Sequence, residues 1–367
     1  MVKTRAVAVL TAAGLAAGLS AAAGPAVGAT AARPHRPGPL VEKLATGLEG
    51  PYGLQWIGTK RFLVAENGAG RVSEVGRHGS RTVRIKGLDG VAGVAAGRRL
   101  YAVLGGGDET APAPDGDFAA TSVVRADRNG KHPKAIANLL DYELEHNPDG
   151  QAQFDSQHQP YDALSNPFSM NLSRYGLLVA DGGGNDVLKV DPSTGKVSTF
   201  FVPPTVTDVP ACLEPGAQSN PGTTGCDSVP TGLAVARGAV YVSTLGAEVP
   251  GAGRVYKLNP RTGRVLHTWK GLIAPTGLAV SRRGAVFVSE VQHGFPEGQP
   301  GPDFDPATVG RITRIGVGGR RTHVHVTMPT GLTWHSGHLY ATAWSLAPLL
   351  GIPKAGQVVW VKQRAFH

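Results

Sequence analysis

The six-residue phrase PTGLAV occurs twice in this chain, at Pro230 and at Pro275, and degenerate copies recur along the rest of the sequence. They are PYGLQW at Pro51, VAGVAA at Val91, PFSMNL at Pro167 and PTGLTW at Pro329. Self-similarity of this kind constrains a fold strongly, because each copy marks a unit that buries its apolar face only against the next copy. The clearest unit has apolar runs at 233–235, 239–243, 254–258 and 264–269, separated by turns at Arg237-Gly238 and at 260–263. Each run is short, rich in β-branched residues and bounded by turn formers, the pattern of a strand. Three other units repeat it: FLVAENGAGRVSEV from Phe62, LLVADGGGNDVLKV from Leu177, and VFVSE from Val286 with GRITRI from Gly310. Four antiparallel strands in about 40 residues plus loops make a propeller blade. Six starts predict an all-β, six-bladed β-propeller.

Closure of the ring is the next constraint. The last unit offers three strands, in GLTW, HLYATAW and GQVVWV, while the run LVEKLATGL at 40–48 precedes the first Pro-x-Gly. We expect that N-terminal run to supply the missing outer strand and so remove an exposed sheet edge. A sixth blade built wholly from the C-terminus is the alternative. One propeller then occupies 40–367, with inserts at 140–164 and 203–229. Composition agrees: Gly 51 and Pro 28 suit many turns and exclude a coiled coil, and 41% hydrophobic residues are too many for a disordered chain.

Residues 1–31 read as a Sec-type signal peptide, with Lys3 and Arg5 before an uncharged run at 6–23 and the small-x-small pattern at Ala29-Thr30-Ala31. A Pro-rich tether at 32–39 follows. The expectation is a secreted or envelope protein with no membrane span after cleavage. Losing Lys3 and Arg5 lowers the formal net charge from +9 by two, and the remaining Lys and Arg are scattered among turns. That is not the basic stripe of a nucleic-acid binder. The only cysteines, Cys212 and Cys226, lie in the turn-rich segment CLEPGAQSNPGTTGC and read as a disulfide that staples a long loop.

The text NPFSMNLSRYGLLVADGGGNDVLKVDPSTGKV, with NPDG at 147–150 ahead of it and the export leader, resembles the ScyD/ScyE family of exported bacterial propellers. The resemblance covers the whole chain after the leader. The element V-A-D/E-x-x-x-N/R-I/V is also similar to that of NHL-repeat propellers, and the open ring is similar to gluconolactonase-like hydrolases. What the resemblance implies is a fold and an exported compartment, without a substrate.

Every long insertion falls between second and third strands (105–119, 246–253, 291–308, 345–354) or between blades (140–164, 203–229). In a four-stranded meander both classes emerge on one face, so one face is elaborated and the other trimmed, which is how a scaffold presents a binding surface. The x of each Pro-x-Gly gives a ring of equivalent positions at the central mouth: Tyr52, Ala92, Phe168, Thr231, Thr276 and Thr330. None is charged. A gluconolactonase-like site needs carboxylate and amide oxygens around a divalent cation. The ring points instead to an aromatic or weakly polar ligand contacting Tyr52, Phe168, Thr231, Thr276 and Thr330, or to a channel plugged by its two aromatics.

Other constellations are weaker. Glu66, Asp181 and Glu290 follow the second strands of alternate blades, where capping of the turn is the expected role and a shared metal the alternative. The insert DYELEHNPDGQAQFDSQHQPYD has oxygen enough for calcium but lacks EF-hand spacing, so a solvated acidic loop is expected. Asn147 and Asp149 are its first candidates if Ca²⁺ binds. His323 and His325 share a side of an outer strand with no third ligand nearby, and no Gly-x-Ser-x-Gly, His-Glu-x-x-His or phosphate loop occurs. The function expected is that of a monomeric, non-catalytic scaffold, binding a ligand, carbohydrate or protein outside the cell. A metal-dependent hydrolase or lyase of the gluconolactonase-like kind is the alternative.

Overall fold

The computed structural model describes residues 39–367 except 60, 77, 107–117, 219, 297 and 299. The signal peptide and all but the last residue of the tether lie outside the described residues. Six four-stranded antiparallel sheets stand around an axis, their innermost strands beginning at Pro51, Val91, Pro167, Pro230, Pro275 and Leu332. Five blades use consecutive strands. In the sixth, the strand Val41–Leu48 lies outermost, antiparallel to Gly356–Val361, with Val41 opposite Val361 and Leu48 opposite Gly356.

Second strands are near-continuous apolar runs, as in Phe62-Leu63-Val64-Ala65, because a blade's middle is covered on both faces by its neighbours. Outer strands such as Val265–Leu272 are largely solvated. The core is therefore six separate seams, one between each pair of adjacent blades. Leu44, Ala45 and Leu48 contribute to the seam that joins blade 6 to blade 1, packing with Leu54, Phe62, Tyr340 and Val358.

The Pro-x-Gly starts have a structural reason. The ladder shifts register at this point, so that Pro230 pairs with Thr244 and Gly232 with Ser243 while Thr231 has no partner. Phe168, between Pro167 and Ser169, is displaced in the same way. The glycine lets the next blade approach: a Cβ on Gly232 would meet the Thr276 carbonyl oxygen at 2.2 Å, and one on Gly277 the Thr330 carbonyl at 1.9 Å.

The inserts are built rather than loose. The 139–166 connection opens with helix α1 (Leu139–His146), an element the strand-dominated sequence pattern does not announce. Asn138 caps its start through the Asp141 N–H, and Asn147 ends it in the left-handed conformation. The Cys212–Cys226 disulfide, with Cα atoms 4.9 Å apart, sits in a small core of its own with Val206 and Ala252. Ala274, Val291, Val309 and Met328 form a second satellite core under the loops of blades 4 to 6. No helix of the described residues is long and apolar enough to cross a membrane.

Candidate functional site

At the mouth on the insertion-rich face, the ring positions divide into two arcs. On blades 4, 5 and 6 the threonines are buried, and each donates its hydroxyl to the proline carbonyl of the next blade: Thr231 to Pro275 at 2.8 Å, Thr276 to Pro329 at 3.1 Å, and Thr330 to Pro51 at 3.1 Å. These hydroxyls are stitches between blades. On blades 1 and 3, Tyr52 and Phe168 are half-buried and stacked on each other, with centroids 5.5 Å apart and planes at 29°. Blade 2 places only Ala92 between them, and its small side chain leaves the rings room to meet. Burial pushes the Tyr52 phenol pKa up to about 12. The pair floors the mouth. At the other end of the inner strands a cavity of about 260 Å³ follows the axis past Gln55, Trp56, Asn171 and His335.

One strand out from the mouth, the candidate carboxylates separate into two kinds. Glu66 is fully buried and takes four donors: Arg71 Nε and Nη2, each at 3.0 Å, the Ser73 hydroxyl at 2.5 Å and the Glu49 N–H at 3.0 Å. Burial alone would raise its pKa, but these bonds outweigh it and hold the carboxyl below the usual glutamate range. Glu290 repeats the arrangement with a fork from Arg311, the Thr313 hydroxyl and the Ile273 N–H. Both carboxylates tie a second strand to the preceding interblade link.

Blade 3 departs from this. Arg71 stands across the ladder from Glu66 and Arg311 from Glu290, but Asp186 stands across from Asp181. Asp181 accepts from the Ser165 hydroxyl at 2.6 Å, from the Asn166 N–H at 2.6 Å, and from the N–H groups of Gly183 and Gly184. Asp186 is 0% exposed, and neither of its carboxylate oxygens has a hydrogen-bond partner. Burial, then the charges of Asp181, Glu143 and Asp149, push its pKa well above the usual aspartate range.

The acidic insert is only in part the solvated loop expected from its composition: Asp141 and Glu145 are exposed, but one acid is buried. Helix α1 turns Glu143 inward to 4% exposure, where Gln153 Nε2 donates to it at 2.9 Å. Its pKa is pushed up to about 8 by burial first and then by Asp149, Asp181 and Asp162. Asp149 accepts from the Gln151 N–H at 2.9 Å and from Asn185 Nδ2 at 3.2 Å, and the Asn147 Oδ1 is buried without a donor. The second insert closes over the first: Gln151 Nε2 donates to Asp227 at 2.7 Å, and Asn220 Nδ2 to the Gln151 Oε1 at 3.0 Å.

Of the sequence-predicted residues, the structure brings Asp181, Asn147 and Asp149 into one neighbourhood and leaves Glu66 and Glu290 on other blades. It adds Asp186, which motif reading passed over, and draws in Glu143, one of the insert's acids that the sequence offered for calcium. The signal for Asp186 was present, since aligning GRVSEV, GRITRI and NDVLKV sets it in the arginine column. His323 and His325 are occupied with the Thr313 hydroxyl and with the carbonyls of Gly310 and Ala307. Among the described residues, no group of three or more His, Cys, Asp or Glu already converges as a cage for a metal ion.

The chain is a six-bladed β-propeller. Its fold is similar to that of a gluconolactonase from Xanthomonas campestris, with TM-score 0.52 and 12% identity over 88% of this chain and 89% of that one. It is also similar to a luciferin-regenerating enzyme (TM-score 0.53, 13% identity, 90% and 97% covered). A glucose dehydrogenase gives TM-score 0.51 at 17% identity, with 88% and 99% covered. At such identities the likeness speaks to fold alone. By sequence, no family profile and no curated protein matches the chain.

Proposed function

We propose that this protein is an exported scaffold, of the kind that the ScyD/ScyE resemblance implies, which binds a carbohydrate or protein ligand on its insertion-rich face without catalysis. One observation carries the reading. The long connections gather on a single face, are held there by two satellite cores and a disulfide, and surround a half-exposed aromatic floor made by Tyr52 and Phe168. Ordered walls around an aromatic floor lower the entropic cost of holding a ligand. Hydrolase or lyase chemistry of the gluconolactonase-like kind would need oxygen ligands on the axis, and the ring positions supply aromatic, alanine and threonine side chains instead. Hydroxyls already bonded across blade seams are poor candidates for that role.

The test is equilibrium binding of the mature chain to envelope polysaccharide and to envelope protein fractions, prepared separately, alongside a lactone-hydrolysis assay with Ca²⁺ or Zn²⁺ added. Tyr52→Ala and Phe168→Ala should each weaken binding by roughly 30-fold, the cost of losing a buried aromatic anchor. Val317→Ser, at an exposed turn of the trimmed face, should leave it unchanged. Binding that survives both aromatic substitutions, or metal-dependent turnover of the lactone, would overturn the proposal.

A further inference from the structure

The blade 3 departure has a chemical consequence independent of the aromatic mouth. In blades 1 and 5 the first residue of the third strand is an arginine, and its guanidinium neutralises the buried carboxylate across the ladder. Blade 4 has an arginine at the matching ladder position, Arg254 opposite Thr244, bonded to Asp208 at 2.5 Å. In blade 3 the same column holds a second carboxylate. Among the described residues, no Lys or Arg forms an ion pair with Glu143, Asp149, Asp181 or Asp186. Four acids thus share one neighbourhood without the internal cation that the sister blades carry. The groups there without donors are all oxygens: both oxygens of Asp186 and the Asn147 Oδ1. A buried acceptor with no donor is costly, and charged acceptors are costlier.

We propose that a divalent cation, calcium by ligand type, binds between helix α1 and the turn at 182–185, with Asp186 and Glu143 as its principal carboxylates and Asn147 and Asp149 completing the oxygen set. Hard oxygen donors in irregular loop geometry suit Ca²⁺ better than Mg²⁺, which demands a near-ideal octahedron. The glycines of the turn place the two sides close together, since a Cβ on Gly184 would lie 3.1 Å from Glu143 Oε2. Because the cage is not closed beforehand, the ion must gather its ligands. An affinity in the range of extracellular calcium modules is expected, with Kd on the order of 0.1 to 1 mM. The ion would do for blade 3 what Arg71 and Arg311 do for blades 1 and 5. It would also pin both inserts, which already meet through Gln151, Asn220 and Asp227.

The experiment is calorimetric titration of the mature, chelator-treated chain with CaCl₂ at pH 7.5, with melting curves and amide hydrogen exchange at 0 and 5 mM Ca²⁺. The expected results are saturable one-site binding and a rise in Tm of about 2 °C at 5 mM. Slower exchange confined to 139–166 and 203–229 should accompany them. Asp186→Asn and Glu143→Gln should each weaken Ca²⁺ binding at least tenfold, and Glu66→Gln should not. Asp186→Asn removes a like charge, so its calcium-free form should melt no lower than the wild type. If that variant does not fold, Glu143→Gln on the helix carries the test alone. The proposal is overturned if the wild type shows neither heat nor a Tm shift at 10 mM Ca²⁺. It is equally overturned if a chain carrying both Asp186→Asn and Glu143→Gln binds Ca²⁺ as well as the wild type, or, where Asp186→Asn does not fold, if Glu143→Gln alone does. None of these readouts depends on the ligand of the insertion-rich face.

Discussion

Glu66 offers the sharpest test of whether the carboxylates that end second strands are structural. Replacing it with Gln keeps the volume but removes the charge, and one of its two acceptor positions becomes an NH₂. That NH₂ would face donors in either orientation, because Oε1 accepts from Arg71 Nε and Ser73, while Oε2 accepts from Arg71 Nη2 and the Glu49 N–H. Removing one partner of a buried ion pair costs about 3 to 5 kcal/mol. The Arg71 side chain keeps 26% of its exposure and can recover some hydration, so the figure falls to about 2 to 4 kcal/mol. The unfolding entropy of a domain spanning 39–367, at about 2.1 cal/mol/K per residue, is about 0.7 kcal/mol/K. Glu66→Gln should therefore lower Tm by about 3 to 6 °C in differential scanning calorimetry at pH 7. The pH dependence follows from the sign of the shift. A carboxyl held below its ordinary range stabilises the fold above the unfolded-state pKa and loses that contribution as pH falls through the folded-state value. The wild-type and variant Tm values should thus converge on acidification below about pH 4.5, where the unfolded-state glutamate begins to protonate. An unchanged Tm at pH 7, or loss of a metal-dependent activity with the fold intact, would refute the capping role.

Two further outcomes follow from the ring and the loops. A chain starting at Gly50 lacks Leu44, Ala45 and Leu48 in the seam between blades 6 and 1, so it should melt lower or aggregate relative to one starting at Ala32; equal Tm values would refute closure by the N-terminal strand. Replacing both Cys212 and Cys226 with Ser should speed hydrogen exchange across 203–229 while the blades keep their protection, because the bridge sits in its own small core; global unfolding would mean that the loop belongs to the ring.

What could be read in the sequence tracks what repeats. Pro-x-Gly recurs because a bulge and a close interblade approach recur, so the blade count was legible, whereas the ends of strands were not: the runs read at 233–235 and 264–269 extend to Pro230–Ala236 and Val265–Leu272. The role of Thr231, Thr276 and Thr330 was not legible either, because their acceptors are carbonyls of the next blade, 44, 53 and 279 residues away. Helix α1 was hidden for a different reason. Eight residues with one inward acid carry almost no apolar period, and the surrounding Asn, Asp, Pro and Gly spell a loop. The disulfide needed no three-dimensional information, since an otherwise cysteine-free chain offers a single pairing.

The same argument from repetition locates where this propeller is specialised. Threonine stitches join blade 4 to 5, 5 to 6 and 6 to 1, and carboxylate–arginine forks brace blades 1 and 5, so most of the ring is held by devices that simply recur. Blade 3 breaks both patterns at once. It puts Phe168 where a stitch would stand and Asp186 where a guanidinium would stand, and the two long interblade inserts flank it on either side. Blades 1 and 2 also lack the stitch, with Tyr52 and Ala92 at that position, so the departure peculiar to blade 3 is Asp186 opposite Asp181, and a break in a local rule kept by sister copies is where function is commonly found. The violations also differ in chemistry. A half-buried aromatic pair invites an apolar or sugar surface, whereas a buried acceptor without a donor invites a proton or a cation. The two sites can therefore be perturbed independently, by substitution at Tyr52 and Phe168 on one side and at Asp186 and Glu143 on the other.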